Sequence, residues 1–255
     1  MAVLEYDGTD FVGFQIQKSG RTVQAELERA LAEFRDKPIR VTGGGRTDAG
    51  VHAAGQTASF TIDWTRDLET LHRAINAKLP PDMSVRRLCE VPENFSARYS
   101  ATSRAYEYRV YNAPDRSALT GRFALWISNP LDVEAMQQAV ARLVGWKDFG
   151  AFGTPPHGEN TVRELKRAEV WRNGEYVLFR FEANAFLYRM VRRLVGTCLQ
   201  VGRGEMDMEQ FQEIVDRKRR AGDSVPPQGL MLMEIRYDPS LFQTGHEPVA
   251  EGFEN

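Results

Sequence analysis

Apolar positions along the chain switch between a spacing of two and a spacing of three to four residues, and the switches mark out the elements. Residues 2 to 7 predict a first strand that ends in a turn at Asp7-Gly8. Thr22 can cap a helix whose one face carries Val23, Leu27, Ala30, Leu31 and Phe34. Ile39 to Val41 predicts a short apolar strand. Thr57, Ser59 and Thr61 then alternate with Ala58, Phe60 and Ile62, as in a strand with one buried face. A second amphipathic helix carries Leu68, Leu71, Ile75 and Leu79 and stops at Pro80-Pro81, and strands follow near Val85 to Val91 and Ala105 to Tyr111.

The pattern then repeats. Pro130 and Asp132 open a helix that buries Val133, Met136, Val140 and Leu143. Asn173-Gly174 lies between apolar runs at Ala168 to Trp171 and Tyr176 to Phe181, a hairpin signal. Helices are expected from Phe186 to Val201 and from Asp207 to Arg219, with a last strand from Met231 to Tyr237. Lys147 to Asn160, with Gly150, Gly153 and Pro155-Pro156, predicts the most mobile loop. Strand-helix-strand order therefore occurs twice, with hairpins rather than strictly parallel crossovers. The expected fold class is α+β, in two mixed halves with largely antiparallel sheets. The halves are set at 1–103 and 104–240, and residues 241–255, which carry no periodicity, read as a flexible tail.

Composition changes this picture little. The chain of 255 residues is 42% apolar and 27% charged, enough for a substantial core. No apolar run spans a bilayer and the start lacks a signal-peptide layout, so a cytoplasmic protein without membrane association is expected. Cys89 and Cys198 have no metal spacing and read as buried thiols outside any disulfide. His52, His72, His157 and His246 are too scattered to form a metal site, and none is expected. The net charge of −2 argues against nucleic acid only as an average. Basic residues bunch at Arg86-Arg87, at Arg98, Arg104 and Arg109, at Arg189 with Arg192-Arg193, and at Arg217-Lys218-Arg219-Arg220, and it is distribution that decides.

The densest candidate chemistry lies in Gly43-Gly44-Gly45-Arg46-Thr47-Asp48-Ala49-Gly50-Val51-His52. A carboxylate and a guanidinium stand two residues apart on a glycine-flanked loop between two expected strands. The run is not a phosphate loop, which needs Gly-Lys-Ser/Thr opening a helix. Nor is it a dinucleotide fingerprint, since its glycines are consecutive and no helix follows. Spacing alone leaves two readings open: an active carboxylate on the floor of a cleft, or an ordinary Arg-Asp bridge in a turn.

The wording of the run resembles the signature of the tRNA pseudouridine synthase A family. The likeness extends through Glu5-Tyr6-Asp7-Gly8-Thr9, Gly13-Phe14-Gln15, Thr22-Val23-Gln24 and Gly55-Gln56. It continues in Phe95-Ser96-Ala97-Arg98, Ser100-Ala101-Thr102, Tyr106-Glu107-Tyr108, Ala183-Asn184-Ala185-Phe186-Leu187, Met190-Val191-Arg192 and Pro227-Gln228-Gly229-Leu230. It departs from the family pattern at Phe14, often tryptophan there, and at Gly44, where alanine is common. The resemblance implies the pseudouridine synthase fold, two similar domains with a catalytic cleft between them. It also implies a homodimer acting on tRNA, with uridines 38, 39 and 40 of the anticodon stem-loop flipped out and isomerised to pseudouridine.

The reaction breaks the bond from C1′ to N1 and rejoins the same base through C5, so neither metal nor coenzyme is needed. Asp48 is the expected nucleophile, as a carboxylate is in retaining glycosidases. Attack on the sugar, attack on the base and removal of a sugar proton are all open to it. Arg46 is expected to pair with Asp48 and keep it ionised; by resemblance it also holds the flipped nucleotide. Tyr106 matches the family tyrosine that stacks on the target base, whereas Tyr108 reads as core. Arg189, Arg192 and Arg193 are spaced to share a helix face, and Arg192 matches the arginine that reaches the catalytic carboxylate. His52 is expected to pack or hydrogen-bond beside the loop. A protein that merely held tRNA would not need a carboxylate next to a phosphate-rich ligand.

Overall fold

The computed structural model describes residues 1–34 and 37–242. Two compact units are formed by the described residues, one from 1–104 together with 232–242, the other from 105–231. This differs from the expected division at its C-terminal end, because the last strand returns to the first unit. The tail assigned to 241–255 falls, from 243 on, outside the described residues.

The first unit contains β1 (Ala2–Tyr6), α1 (Val23–Ala32), β2 (Thr42–Gly43), β3 (His52–Ser59), α2 (Leu68–Asn76) and β4 (Met83–Leu88), plus most of β10 (Leu230–Tyr237). Its strands run in the order β4-β1-β3-β10, with β2 beside β3. β1 is antiparallel to both β3 and β4. Both helices start where local chemistry says they should: Thr22 accepts from the Ala25 N–H and Asp67 from the Thr70 N–H. Val23, Leu27, Ala30 and Leu31 are buried as one face of α1, and Leu71 and Ile75 as that of α2, which packs on β4.

Some boundaries differ from the expected ones. The strand before the Gly-rich run is Thr42–Gly43, paired with Ser59 and Ala58, and not Ile39–Val41, whose apolar ends are simply buried side chains. β3 begins five residues earlier than the alternation suggested and ends at Ser59. Thr57 and Ala58 are both buried, so this strand is covered on both faces and the one-sided pattern does not apply. β4 is shifted toward the N-terminus by its pairing with β1.

The second unit runs through β5 (Ala101–Asn112, whose first residues belong to the first unit), β6 (Leu125–Ile127), α3 (Val133–Ala141), β7 (Gly145–Asp148), β8 (Val162–Asn173), β9 (Tyr176–Ala183), α4 (Met190–Gly202) and α5 (Met208–Val215). Strand order is β5-β9-β8-β7, with β6 parallel to β5. The Asn173-Gly174 hairpin forms as expected, Asn173 facing Tyr176 and Gly174 taking φ +58°. α3 packs on β8 and on α4, burying Val133, Met136 and Val140. The expected loop at 147–160 is only in part a loop. Its start is β7, and Phe149 and Phe152 are buried, so the continuously exposed stretch shrinks to residues 156–160.

Two helix ends also differ. α4 starts at Met190, four residues late, because Arg189 takes the left-handed conformation (φ 59°) and Tyr188 bridges to Thr154 instead. Arg189 therefore precedes the helix and does not share a face with Arg192 and Arg193. α5 ends at Val215, and Arg217 (φ 61°) turns the basic run out of the helix altogether. No described helix is long and apolar enough to cross a membrane.

Candidate active site

The Gly-rich run joins β2 to β3, and its backbone is held at almost every residue. Gly44 N–H donates to the Thr57 carbonyl at 2.8 Å. The Gln56 amide pairs with the backbone of Gly45, accepting from its N–H at 3.1 Å and donating to its carbonyl at 2.9 Å. The Thr47 carbonyl accepts from Phe14 N–H at 3.1 Å, and the Thr47 hydroxyl bonds the Tyr6 hydroxyl at 2.8 Å. Past the aspartate, Val51 N–H donates to the Asp48 carbonyl at 3.1 Å and Gly50 N–H to the Phe11 carbonyl at 3.2 Å. Gly50 takes φ +76°, the one left-handed position in the run, which closes this turn.

Gly43 and Gly44 serve close packing and not the flexibility that the run suggests. A Cβ on Gly43 would lie 2.2 Å from the Phe14 ring, and one on Gly44 would lie 2.3 Å from the Thr57 hydroxyl. The consequence is a rigid loop with its backbone bonds turned inward. Thr47 is buried, Asp48 is half-buried and Arg46 and Ala49 are exposed. A carboxylate held in this way needs little reorganisation to act.

Arg46 and Asp48 stand two residues apart on this loop, the first exposed and the second half-buried. Thr47, anchored inward between them through its hydroxyl and its carbonyl, fixes the backbone on either side. His52 is buried and accepts the Gly8 N–H on Nδ1 at 3.0 Å, with Asp7 Oδ1 3.2 Å from the same nitrogen. It holds the β1 turn against the start of β3. Among the described residues there is no cluster of histidine, cysteine or carboxylate side chains able to hold a metal.

Tyr106 and Arg192 belong to the second unit. Tyr106 lies on β5 with its ring nearly perpendicular to that of Phe186, 5.1 Å between centroids, and is buried. Arg192, in the first turn of α4, donates from Nε to the Val225 carbonyl at 2.6 Å. Tyr108 donates its hydroxyl to the next carbonyl, Pro226, at 2.8 Å. Burial pushes the Tyr108 phenol well above its usual range, and the Arg192 charge pulls the other way. Tyr108 is wholly buried, the core role expected of it. Gly229 packs directly on its ring, where a Cβ would lie 2.7 Å away.

Sequence reading gave no role to Tyr6, Thr47 and Gln56 as a group, nor to Arg104. Arg104 donates from Nη2 to the Gly44 carbonyl at 2.9 Å and to the Arg98 carbonyl at 2.7 Å. Its partners lie 60 and 6 residues away, and no local pattern signals such pairs.

The family model described as tRNA pseudouridine synthase matches residues 2–100 and 139–238, more than half of the chain. The chain belongs to the tRNA pseudouridine synthase family. It is 41% identical over 253 residues to tRNA pseudouridine synthase A of Roseiflexus sp. strain RS-1, covering 97% of this chain and 93% of the relative. With the protein of the same name from Exiguobacterium sp. strain AT1b it shares 39% identity over 240 residues, 92% of this chain and 96% of that one. A chain from the crystal structure of a Cbf5-Nop10-Gar1 complex is a distant likeness, with a TM-score of 0.36 at 15% identity over 78% of this chain and 45% of its own length. The mixed α/β architecture with mostly antiparallel pairing is that of a pseudouridine synthase, and pseudouridine synthases are isomerases.

Proposed function

We propose that this family member isomerises uridines 38, 39 and 40 of the tRNA anticodon stem-loop to pseudouridine, with Asp48 as catalytic nucleophile. The observation that carries the reading is the presentation of Asp48. In a chain of this family, the signature aspartate is the half-buried carboxylate on a loop pinned at 44, 45, 47, 48 and 50.

The C1′–N1 bond breaks, the base turns and C5 joins C1′; the proton leaving C5 is balanced by the one N1 takes up. No electron or group donor enters, so the reaction runs without cofactor. Arg46, exposed on the same loop, holds the displaced nucleotide. Tyr106 stacks on the target base, and Arg192 is the second catalytic cation. The protein acts as a homodimer in the cytoplasm.

Asp48→Asn is nearly isosteric and removes the nucleophile. Pseudouridine formation in an unmodified tRNA transcript is expected to vanish while tRNA binding and the urea midpoint stay close to wild type. Turnover near the wild-type rate would remove Asp48 from the catalytic role.

A further inference from the structure

Tyr99 is a conspicuous misfit on the surface of the first unit. Its side chain is 79% exposed, yet the loop that carries it is tightly built. Ser100 N–H donates to the Ser96 carbonyl at 2.9 Å, and Ser96 N–H to the Ser100 hydroxyl at 3.2 Å. Ala97 is held at both ends, its N–H by the Ser59 hydroxyl at 3.1 Å and its carbonyl by the Tyr237 hydroxyl at 2.7 Å. Phe95 packs its ring against Tyr237, 5.1 Å between centroids. The Arg98 guanidinium stands 5.2 Å from the centre of the Tyr99 ring. A flat ring and a cation are thus displayed side by side on a fixed support.

Arg104 ties this support to the loop of Asp48. One guanidinium donates to the Arg98 carbonyl at 2.7 Å, the Ala101 carbonyl at 3.3 Å and the Gly44 carbonyl at 2.9 Å. Charge-assisted bonds of this kind are stronger than neutral ones and resist independent movement of the segments they join. The pairing of an exposed tyrosine with an arginine recurs in the second unit, where Arg189 lies 4.9 Å from the centre of the Tyr188 ring and Tyr188 is 52% exposed.

We propose that Arg98 and Tyr99 form a contact for an unpaired RNA nucleotide, base on the ring and phosphate on the guanidinium, held in register with the Asp48 loop by Arg104. An aromatic face takes any base that is not already stacked in a duplex, and a neighbouring arginine takes the phosphate. The proposal rests on the tRNA-modifying reading above and adds to it a substrate contact outside the signature loop.

The test is binding of an unmodified tRNA transcript, titrated over a range of salt, with pseudouridine formation followed on the same preparations. Tyr99→Ala should weaken binding about fivefold to a hundredfold with an unchanged salt slope, and Tyr99→Phe should restore it. Arg98→Gln should make the slope of log affinity against log salt shallower by about 0.7 to 0.9, the contribution of one phosphate. Wild-type affinity and slope in both variants, with the wild type active, overturns the contact and leaves the activity standing. Variants that lose binding while the wild type forms no pseudouridine keep the contact and remove the activity. A Tyr99→Ala loss accompanied by a shallower slope would show that the ring only steadies Arg98, which overturns the stacking assignment.

Discussion

Thr47 shows how the reactive residue is held by the one beside it. Its hydroxyl meets the Tyr6 hydroxyl at 2.8 Å, and Gln56 Nε2 donates to the same phenol oxygen at 3.4 Å. Thr47→Val keeps the shape, deletes the hydroxyl and leaves the buried phenol without its shorter bond. An unsatisfied buried polar group costs roughly 1–3 kcal/mol, so the unfolding free energy should fall by that amount, read as a lower urea midpoint at an unchanged denaturant slope. Tyr6→Phe added to Thr47→Val removes both partners, and the double variant should lose less than the sum of the single losses. Strict additivity would show that the two hydroxyls act independently. Because Thr47 precedes Asp48 directly, turnover should fall in the Thr47 variant while the Michaelis constant for tRNA stays constant.

Among elements, the end of α5 carries a correction with a measurable consequence. Arg217-Lys218-Arg219-Arg220 is exposed, but it follows the helix and is partly spoken for: Arg217 pairs with Asp148 at 2.5 Å and Lys218 with Asp216 at 3.4 Å. Changing all four to glutamine should therefore flatten the salt slope of tRNA binding by no more than about 1.4 to 1.8, the worth of two phosphates. A drop near twice that size would mean that both ion pairs open on binding. Helix starts were legible in the sequence because Thr22, Asp67, Asp132 and Asp207 cap through bonds to residues two or three positions ahead. The short strands β6 and β7 were not, since three or four residues carry no period and only distant partners make them strands. The apolar spacing from Phe186 continued into α4 and hid the left-handed Arg189 that sets its true start. At the site, the motif exposed Asp48 and Arg46, whereas the anchors Tyr6 and Gln56 lie 41 residues before and 11 residues after their loop partners.

Across the whole molecule, each unit is pinned by buried phenols that join segments far apart in the chain. Tyr6 reaches Thr47, Tyr237 bonds Thr57 and the Ala97 carbonyl, and Tyr108 bonds the Pro226 carbonyl. Burial pushes Tyr6 and Tyr237 up to about 12, against the opposing pull of their hydroxyl partners, and raises Tyr108 as well. In the unfolded chain these phenols ionise near 10. Between about pH 10 and pH 12 the folded protein therefore holds protons that the unfolded chain has released. The unfolding free energy falls as pH rises through that window, and the contribution is fully present only below it. Two pH units correspond to roughly 3 kcal/mol for each tyrosine, a large part of the stability of an ordinary domain. The urea midpoint is expected to stay level with respect to these groups up to about pH 9 and to drop steeply above pH 10. Replacing Tyr6 and Tyr237 by phenylalanine removes both titrating groups. That variant should be less stable than wild type at pH 7, where the hydroxyl bonds count in favour of the fold, and should lose less on going to pH 11. A parallel decline of wild type and variant over this range would assign the alkaline loss to other groups and detach it from the phenols.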